Sequence, residues 1–355
     1  MSAMTSHERF KRMFEHRDAD RVPIIDSPWG ATIERWQCEG MPKGVSFVDY
    51  FDLDKTTRIS VDNGPRYETK IVEETEEYRI HQTSWGATLK NWKHAASTPE
   101  FIDFTVTDPD SWQEARARMT PTRDRVPWDR LKANYKRWRE EGYWIDALLW
   151  FGFDVTHSWM VGTERVLFAL VENPEWLSDL FNHCLDVNLA LLDMVWDEGY
   201  TFDSVFWFDD MGYKQNQFFS LRTYRELLKP VQKRAIEWAH AKGIKAHLHS
   251  CGDINPFVPE LVEIGLDALN PLEVKAGMDT LHLKKTFGDK LVLHGGINAV
   301  LWDKPDKIRE EISEKLPILK QDGGYVFSSD HSVPSSVSLE DFRGIVELAN
   351  ELGSY

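Results

Sequence analysis

Two short segments of this chain combine residue types that bind transition metals. His249 and Cys251 are separated by a single residue, and His331 follows far downstream. Each segment comes after an apolar run that predicts a strand, at 244–248 and at 325–327. Imidazole nitrogen and thiolate sulfur are donors that zinc prefers, and three protein ligands leave a fourth position for substrate. The spacing therefore predicts a mononuclear zinc site, with His331 alternatively a catalytic or substrate-binding histidine.

Other polar and aromatic side chains lie where predicted strands end, which is where a parallel barrel holds its active site. Asp209 and Asp210 follow the strand at 203–208, and Glu273 follows the strand at 267–270. We expect these carboxylates to be catalytic, to complete the zinc site or to orient a ligand histidine. Alternatively, Asp209 and Asp210 cap the loop that follows them in the sequence. Substrate-binding side chains are expected from a second strand-end group: Trp150, Trp207, Tyr213, His247 and His294.

The elements that position these residues alternate along the chain. From about residue 143, strands are predicted at 144–150, 203–208, 244–249, 267–270, 290–294 and 325–328, with helices between them. This alternation indicates βαβ units and a parallel sheet. An early strand at 22–25 brings the number close to eight, which favours a (β/α)8 barrel of the TIM type, preceded by a helical lead. No glycine-rich phosphate loop follows the first strand, and this argues against an open doubly wound sheet.

Helix boundaries and one insertion are also predicted. A helical stretch at about 164–198 is interrupted by Pro174, and a helix at about 221–241 ends at Gly243, a C-cap glycine. Between about 56 and 108, the segments 67–74 and 78–83 alternate like the strands of a β-hairpin. We therefore predict a β-hairpin insertion on one barrel domain that spans residues 1–355.

The composition excludes several classes of partner. A net charge of −16 argues against nucleic acid and against an anionic membrane surface, and it implies that a highly anionic substrate needs local cations. Three cysteines without disulfide spacing fit a reducing, cytoplasmic setting. The N-terminus shows no apolar signal region, and no apolar run approaches the roughly 18 residues of a transmembrane helix.

Six segments together resemble the uroporphyrinogen decarboxylase-like superfamily over nearly the whole chain. They are SHERFKRMF at 6–14, DRVPI at 20–24, FDDMG at 208–212, HSCGD at 249–253, LNPLE at 269–273 and GGYVFS at 323–328. The true decarboxylases of this superfamily carry an Arg-Gln-Ala-Gly-Arg segment after the first strand, which binds propionates. The corresponding stretch at 26–32 is DSPWGAT and lacks that arginine pair, so porphyrinogen decarboxylation is not expected.

The other branch of the superfamily contains zinc-dependent methyltransferases that exchange methyl groups with a corrinoid protein. Their zinc motif is similar to His-x-Cys followed by a distant cysteine. This chain keeps His249 and Cys251 and has His331 near the place of the second cysteine. The resemblance implies zinc as a cofactor and a corrinoid (cobalamin) as the methyl acceptor. No Asp-x-His-x-x-Gly signature occurs in the sequence, so we expect a partner protein to carry the corrinoid.

A His2Cys set leaves zinc with a formal charge of about +1, which suits an oxygen leaving group better than a neutral ion does. We therefore hypothesise transfer of a methyl group from a small O-methyl substrate to cobalt(I). One alternative is a metal-independent decarboxylase of a small or cyclic acid, in which Asp209 or Asp210 holds a cationic intermediate. A second is a non-catalytic barrel that uses the zinc or the aromatic pocket to hold a small ligand. Separately, His249 and Cys251 taken alone are alternatively a core histidine and an inert buried thiol. Homo-oligomer formation stays open.

Overall fold

The computed structural model describes residues 4–94 and 98–355. Its strands are β1 Thr56–Ile59, β2 Lys70–Glu74, β3 Tyr78–Gln82, β4 Ala87–Trp92, β5 Glu100–Phe104, β6 Trp144–Leu149, β7 Ser204–Phe208, β8 Gly212–Tyr213, β9 Asn216–Gln217, β10 Lys245–His249, β11 Ala268–Asn270, β12 Val292–His294 and β13 Tyr325–Val326. Seven of them form one sheet in the order β1-β6-β7-β10-β11-β12-β13, and all its pairings are parallel.

The segment around Ile24 closes this sheet into a barrel. Ile24 forms a parallel bridge to Phe327, which follows β13. On its other side, the carbonyl of Ile24 accepts a hydrogen bond of 3.0 Å from the backbone amide of Asp54, just before β1. The predicted (β/α)8 barrel is therefore confirmed, with the early strand reduced to a short bridging segment.

Helices cover the outside of the barrel. They are α1 Ser6–Phe14, α2 Gly30–Cys38, α3 Phe47–Tyr50, α4 Pro109–Arg118, α5 Trp128–Glu140, α6 Gly152–Asp154, α7 Thr163–Glu172, α8 Pro174–Asp197, α9 Leu221–Thr223, α10 Lys229–Ala241, α11 Val258–Glu263, α12 Thr280–Phe287, α13 Pro305–Leu319 and α14 Leu339–Gly353. Short π-helical turns at Val155–Met160 and Tyr224–Leu228 lead into α7 and α10.

Local sequence explains several of these boundaries. Pro174 stands at the first position of α8, where its missing amide costs no hydrogen bond, so the predicted break separates α7 from α8. Gly243, just beyond α10, has a φ of 72°, as the predicted C-cap requires. Every residue of β6 is buried, which is typical of a parallel strand covered on both faces.

The insertion differs from the prediction at its start. Residues 56–59 are not part of it, because Thr56–Ile59 is the barrel strand β1, paired with β6. The sequence TTRI hides this strand, since Thr56 and Arg58 line the barrel opening and leave no apolar run. The insertion itself is a four-stranded antiparallel sheet, β2-β3-β4-β5, and Trp85 beside it meets Trp159 with ring centroids 5.7 Å apart. The division into one domain stays a prediction.

None of the helices in the described part of the chain combines the length and hydropathy that crossing a membrane would require.

Candidate metal-binding active site

A cavity of about 620 Å3 opens at the carboxyl ends of the barrel strands. Residues from β1, β7, β10, β11 and β12 and from the segments after Ile24 and β13 contribute to its wall. The lining residues are Ile25, Asp26, Ser27, Thr56, Thr57, Arg58, Phe206, Phe208, Asp210, His249, Cys251, Asn270, Pro271, His294, Ser328, Ser329, His331 and Ser332. The candidate site therefore lies at the edge of the barrel where the sequence predicts it.

Three possible metal ligands converge on one wall of this cavity. The Sγ of Cys251 lies 3.3 Å from the Nε2 of His249, and the same nitrogen lies 3.7 Å from a carboxylate oxygen of Asp210. One donor atom from each residue lies within 4.8 Å of the other two. The parallel register places His249 beside Phe208, so the residues that follow β7 and β10 meet at this edge.

Hydrogen bonds hold the three side chains in this arrangement. The Nδ1 of His249 contacts the Oδ1 of Asn270, whose Nδ2 donates to the carbonyl of His294. Because the amide oxygen of Asn270 is the acceptor, Nδ1 of His249 carries the proton and Nε2 presents its lone pair. The backbone amide of Cys251 donates to Asp210 over 2.8 Å. These contacts fix the histidine tautomer and the loop at Cys251, and they leave Nε2 of His249 able to accept a metal ion or a proton.

The loop after β10 is held from below by Glu273. A carboxylate oxygen of Glu273 accepts a hydrogen bond of 2.7 Å from the amide of Gly252, and the other oxygen lies 3.0 Å from Nζ of Lys275. Gly252 has a φ of 82°, and a Cβ there would lie 2.1 Å from the carbonyl carbon of Gly212. Glu273, predicted as catalytic, is 7% exposed and lies outside the cavity lining, where it supports the loop.

The two neighbouring aspartates face different surroundings. Asp210 lines the cavity, whereas Asp209 is fully buried behind the strand. Asp209 accepts hydrogen bonds from the backbone amides of Phe153 and Asp154 and from Nε2 of Gln232. Burial nevertheless raises the pKa of Asp209 to about 8. Of the predicted pair, Asp210 therefore lies where it can meet a metal or substrate, and Asp209 joins β7 to the surrounding helices.

Burial also changes the pKa values of two of the three converging side chains. Desolvation raises the pKa of Asp210, although the nearby His249 opposes the shift, and it raises the pKa of the Cys251 thiol. Both shifts favour the neutral form of the group. A divalent cation at this point would favour the charged forms instead, as metal ions commonly do for buried thiols.

The remaining predicted histidines surround the opening. The Nδ1 of His294 lies 3.2 Å from Nε2 of His247, and burial lowers the pKa of both, that of His294 to about 3. His294 lines the cavity and His247 lies outside that lining. His331 lines it too, but it is absent from the cluster of converging donors formed by the described residues. Its part in metal binding stays a prediction.

The three predicted aromatic substrate-binding residues lie outside the lining. Trp207 is fully buried, Tyr213 is 47% exposed, and Trp150 stacks on Phe208 with centroids 5.9 Å apart. The aromatic wall is instead made by Phe206 and Phe208. Side chains alternate between the two faces of β7, so Trp207 points to the helices when its neighbours point inward.

Sequence reasoning missed Arg58, Asn270, Phe206 and Phe208. Asn270 had a usable signal, because it is a polar residue that ends a strand within the segment 269–273. The two phenylalanines pair in register with His247 and His249, but the register is a property of the sheet and not of the sequence. Arg58 lies on β1, whose TTRI sequence has no apolar run, so the predicted insertion included it.

A parallel barrel with a cavity at the carboxyl ends of its strands is the architecture of the TIM-barrel proteins. Comparison with known proteins identifies the family within this class. The family model described as "Uroporphyrinogen decarboxylase (URO-D)" matches residues 155–352, more than half of the 355 residues. The chain belongs to this family, and the matched part contains His249, Cys251 and His331. The superfamily resemblance found in the sequence is thus confirmed.

Individual relatives are distant. A uroporphyrinogen decarboxylase of Ruthia magnifica subsp. Calyptogena magnifica is 24% identical over 192 residues, which cover 53% of this chain and 52% of the relative. One of Protochlamydia amoebophila is 26% identical over 193 residues, 53% of this chain and 49% of the relative. The chain thus spans about half the length of these curated relatives.

A solved structure shares the fold over nearly the whole chain. A methyltransferase from Methanosarcina mazei has a TM-score of 0.62 with this chain at 16% sequence identity. The match covers 98% of this chain and 99% of that structure. At 16% sequence identity, this match shows that the two proteins share a fold.

Proposed function

We propose that this protein is a zinc-dependent methyltransferase. It moves a methyl group from the oxygen of a small methoxy compound to the cobalt(I) of a corrinoid that a partner protein carries. The observation on which the proposal rests is the convergence of Asp210, His249 and Cys251 at the cavity wall. The superfamily, and a fold shared with a methyltransferase, support the same reaction class.

The spacing of the donor atoms fits zinc. In a tetrahedral site with bonds of about 2.0 to 2.3 Å, neighbouring donor atoms lie roughly 3.3 to 3.8 Å apart. The sulfur–nitrogen distance of 3.3 Å and the nitrogen–oxygen distance of 3.7 Å lie within a few tenths of an ångström of the roughly 3.5 Å and 3.4 Å that these bonds give for the two pairs. His249 and Cys251 are therefore proposed as ligands.

The third protein ligand is either Asp210 or His331. Asp210 belongs to the converging cluster, and His331 lines the same cavity. A His2Cys set would leave zinc with a formal charge of about +1, whereas a carboxylate in place of the second imidazole would leave it neutral. The choice therefore decides how strongly the metal attracts an oxygen leaving group.

When bound, zinc would polarise the ether oxygen and stabilise the negative charge that grows on it as the carbon–oxygen bond breaks. The residues of the chain prepare this step. Asn270 holds His249 with Nε2 toward the cavity, and Asp210 fixes the backbone at Cys251. Phe206 and Phe208 line the neighbouring wall with apolar surface that excludes water from the reacting oxygen.

Elemental analysis of the purified protein tests the metal, and methyl transfer to a cobalt(I) corrinoid tests the reaction. We expect about one zinc per chain, lost in His249→Ala and Cys251→Ala. Loss in only one of Asp210→Asn and His331→Ala identifies the third ligand. The exposed residues Cys38 and His282 provide matched controls, because Cys38→Ala and His282→Ala should keep the metal. A wild type that binds no supplied zinc, or that transfers no methyl group from any methoxy compound, would refute the proposal.

The name of the curated relatives favours a second candidate, metal-independent decarboxylation of a small or cyclic acid. The segment 26–32 lacks the arginine pair that the superfamily's decarboxylases use. Carbon dioxide release by protein freed of metal with a chelator would establish this candidate in place of methyl transfer.

A further inference from the structure

Arg58 gives the cavity a positive charge that the proposed metal centre does not use. Among the lining residues, all of which belong to the described part of the chain, Arg58 is the sole lysine or arginine. It lies on β1 opposite Asp146 of β6, and its side chain is 45% exposed. A guanidinium at the mouth of a cavity is a ready partner for an anion.

The hydrogen-bonding capacity of this guanidinium is unused by the residues that the structure describes, since none of them accepts a hydrogen bond from it. Its nearest carboxylate is Asp146, with 3.9 Å between Nε and Oδ2, beyond hydrogen-bond distance. The other oxygen of Asp146 accepts a hydrogen bond from Ser204. Five N–H donors in a planar fork are thus available to a ligand.

Aromatic rings connect Arg58 to the metal cluster. Its guanidinium carbon lies 4.4 Å from the ring centre of Phe206 and 5.7 Å from that of Phe208. The ring of Phe208 lies in turn 5.0 Å from that of His249. Stacking on Phe206 fixes the cation while its edge stays accessible. An elongated ligand held by Arg58 would extend along the phenylalanines toward His249.

The remaining charges make Arg58 decisive for an anion. The other ionisable lining residues include the carboxyl groups of Asp26 and Asp210, and the whole chain carries a net charge of −16. Asp26 is already occupied by hydrogen bonds from the backbone amide and the hydroxyl of Ser329. Away from the metal cluster, Arg58 is therefore the cation that the described lining residues offer to an anionic substrate.

We propose that Arg58 binds a carboxylate of the methyl donor, so that the substrate is a methoxy carboxylic acid. The carboxylate accepts paired hydrogen bonds from the guanidinium, the apolar body lies along Phe206 and Phe208, and the methoxy group lies at the metal cluster. The methoxy half of this assignment rests on the proposed function. The carboxylate half rests on Arg58 alone.

Calorimetric titration tests the assignment with matched ligands. The zinc-loaded protein is titrated with the three methoxybenzoate isomers and methoxyacetate, and with the corresponding neutral amides. We expect at least one acid to bind about tenfold or more tightly than its amide, as a charge-assisted pair implies. Arg58→Gln should abolish this preference and Arg58→Lys should keep part of it. Arg222→Gln is the matched control, because Arg222 is exposed on α9 and lies outside the cavity lining.

The outcomes separate this inference from the proposed function. A wild type that prefers none of the acids, or an Arg58→Gln variant that folds and keeps the preference, overturns the role of Arg58. Preference for the acid that depends on Arg58, without methyl transfer to cobalt(I), keeps that role and refutes the methyltransferase. Methyl transfer from the methoxy acids at a rate that Arg58→Gln leaves unchanged keeps the methyltransferase and refutes the role of Arg58.

Discussion

At the scale of single residues, the contact between His249 and Asn270 decides which imidazole nitrogen faces the cavity. The amide of Asn270 is itself held, because its Nδ2 donates to the carbonyl of His294. Partners of this kind fix the tautomer of a metal-binding histidine and are usually worth a factor of 10 to 100 in affinity. The structure thus assigns Asn270 a positioning role within the proposed site.

Asn270→Ala should therefore weaken zinc binding by about 10- to 100-fold, as measured by competition with a chromophoric chelator. Asn270→Asp keeps an oxygen acceptor at the same place and should retain most of the affinity. Equal zinc affinities for wild type and Asn270→Ala would show that the contact does not orient the ligand.

The raised pKa of Asp209 predicts how the stability of the protein depends on pH. This pKa is about 8 in the folded protein against a usual value of 3.8, so the folded state holds a proton that the unfolded state releases. The stability that depends on this proton falls as pH rises through that interval. The histidines whose pKa values burial lowers act in the opposite direction near pH 7, so the contribution of Asp209 is read from the difference between the wild type and Asp209→Asn.

In chemical denaturation with a chelator present, the free energy of unfolding of the wild type should decrease by about 1 kcal/mol from pH 7 to 8 relative to that of Asp209→Asn. Asp209→Asn should be less stable overall, because it cannot accept all three hydrogen bonds. Parallel pH profiles for the two proteins would mean that the three donors keep Asp209 ionised in the fold.

At the scale of elements, the close approach of the loops after β7 and β10 brings Asp210 and Cys251 together. Gly252 permits it, because a Cβ at this position would collide with the backbone of Gly212. A backbone clash cannot be relieved by rotating a side chain, so the loops would have to separate.

A strained backbone position usually costs about 1 to 3 kcal/mol, and Gly252→Ala should destabilise the protein by more than this because of the added clash. The variant should also bind zinc more weakly. Gly199→Ala is the control, since Gly199 has a similar φ of 87° but no atom within 4 Å of its added Cβ. Thermal unfolding and chelator competition measure both effects. Zinc binding that Gly252→Ala leaves intact would contradict the close approach as the cause of the cluster.

At the scale of the whole molecule, a buried ionic cluster joins the helical lead to the seam of the barrel. Asp54 precedes β1 and is 2% exposed. Its carboxylate contacts Arg9 of α1 and Arg21, and accepts a hydrogen bond from the amide of Ile24. These contacts lie where the bridging segment closes the barrel.

Asp54→Ala should cost up to about 3 to 5 kcal/mol of unfolding free energy, because Arg21 loses its carboxylate partner and Arg9 keeps only Asp20. Asp124→Ala removes an exposed partner of Arg66, and its loss of stability should be small beside that of Asp54→Ala. Urea denaturation measures both, and comparable losses in the two variants would exclude a special role for the seam.

The sequence by itself determined the barrel, the break at Pro174, the edge that bears the site, and His249 and Cys251 as a pair. These follow from local periodicity, capping residues and short spacings, all of which are written in contiguous segments. It failed at β1, whose TTRI sequence has no apolar run, and at Trp207, whose strand face it did not resolve.

Only the tertiary structure decided that Asp210 joins the cluster while Asp209 turns away, that Asn270 holds His249, and that Arg58 faces the same cavity. Each of these depends on strand register and on which face of a strand points inward. A shift of one residue reverses that face, and the register is fixed by packing among strands distant in sequence. Local patterns therefore placed the predicted site residues at the carboxyl edge of the barrel, and the folded sheet selected the side chains that meet there.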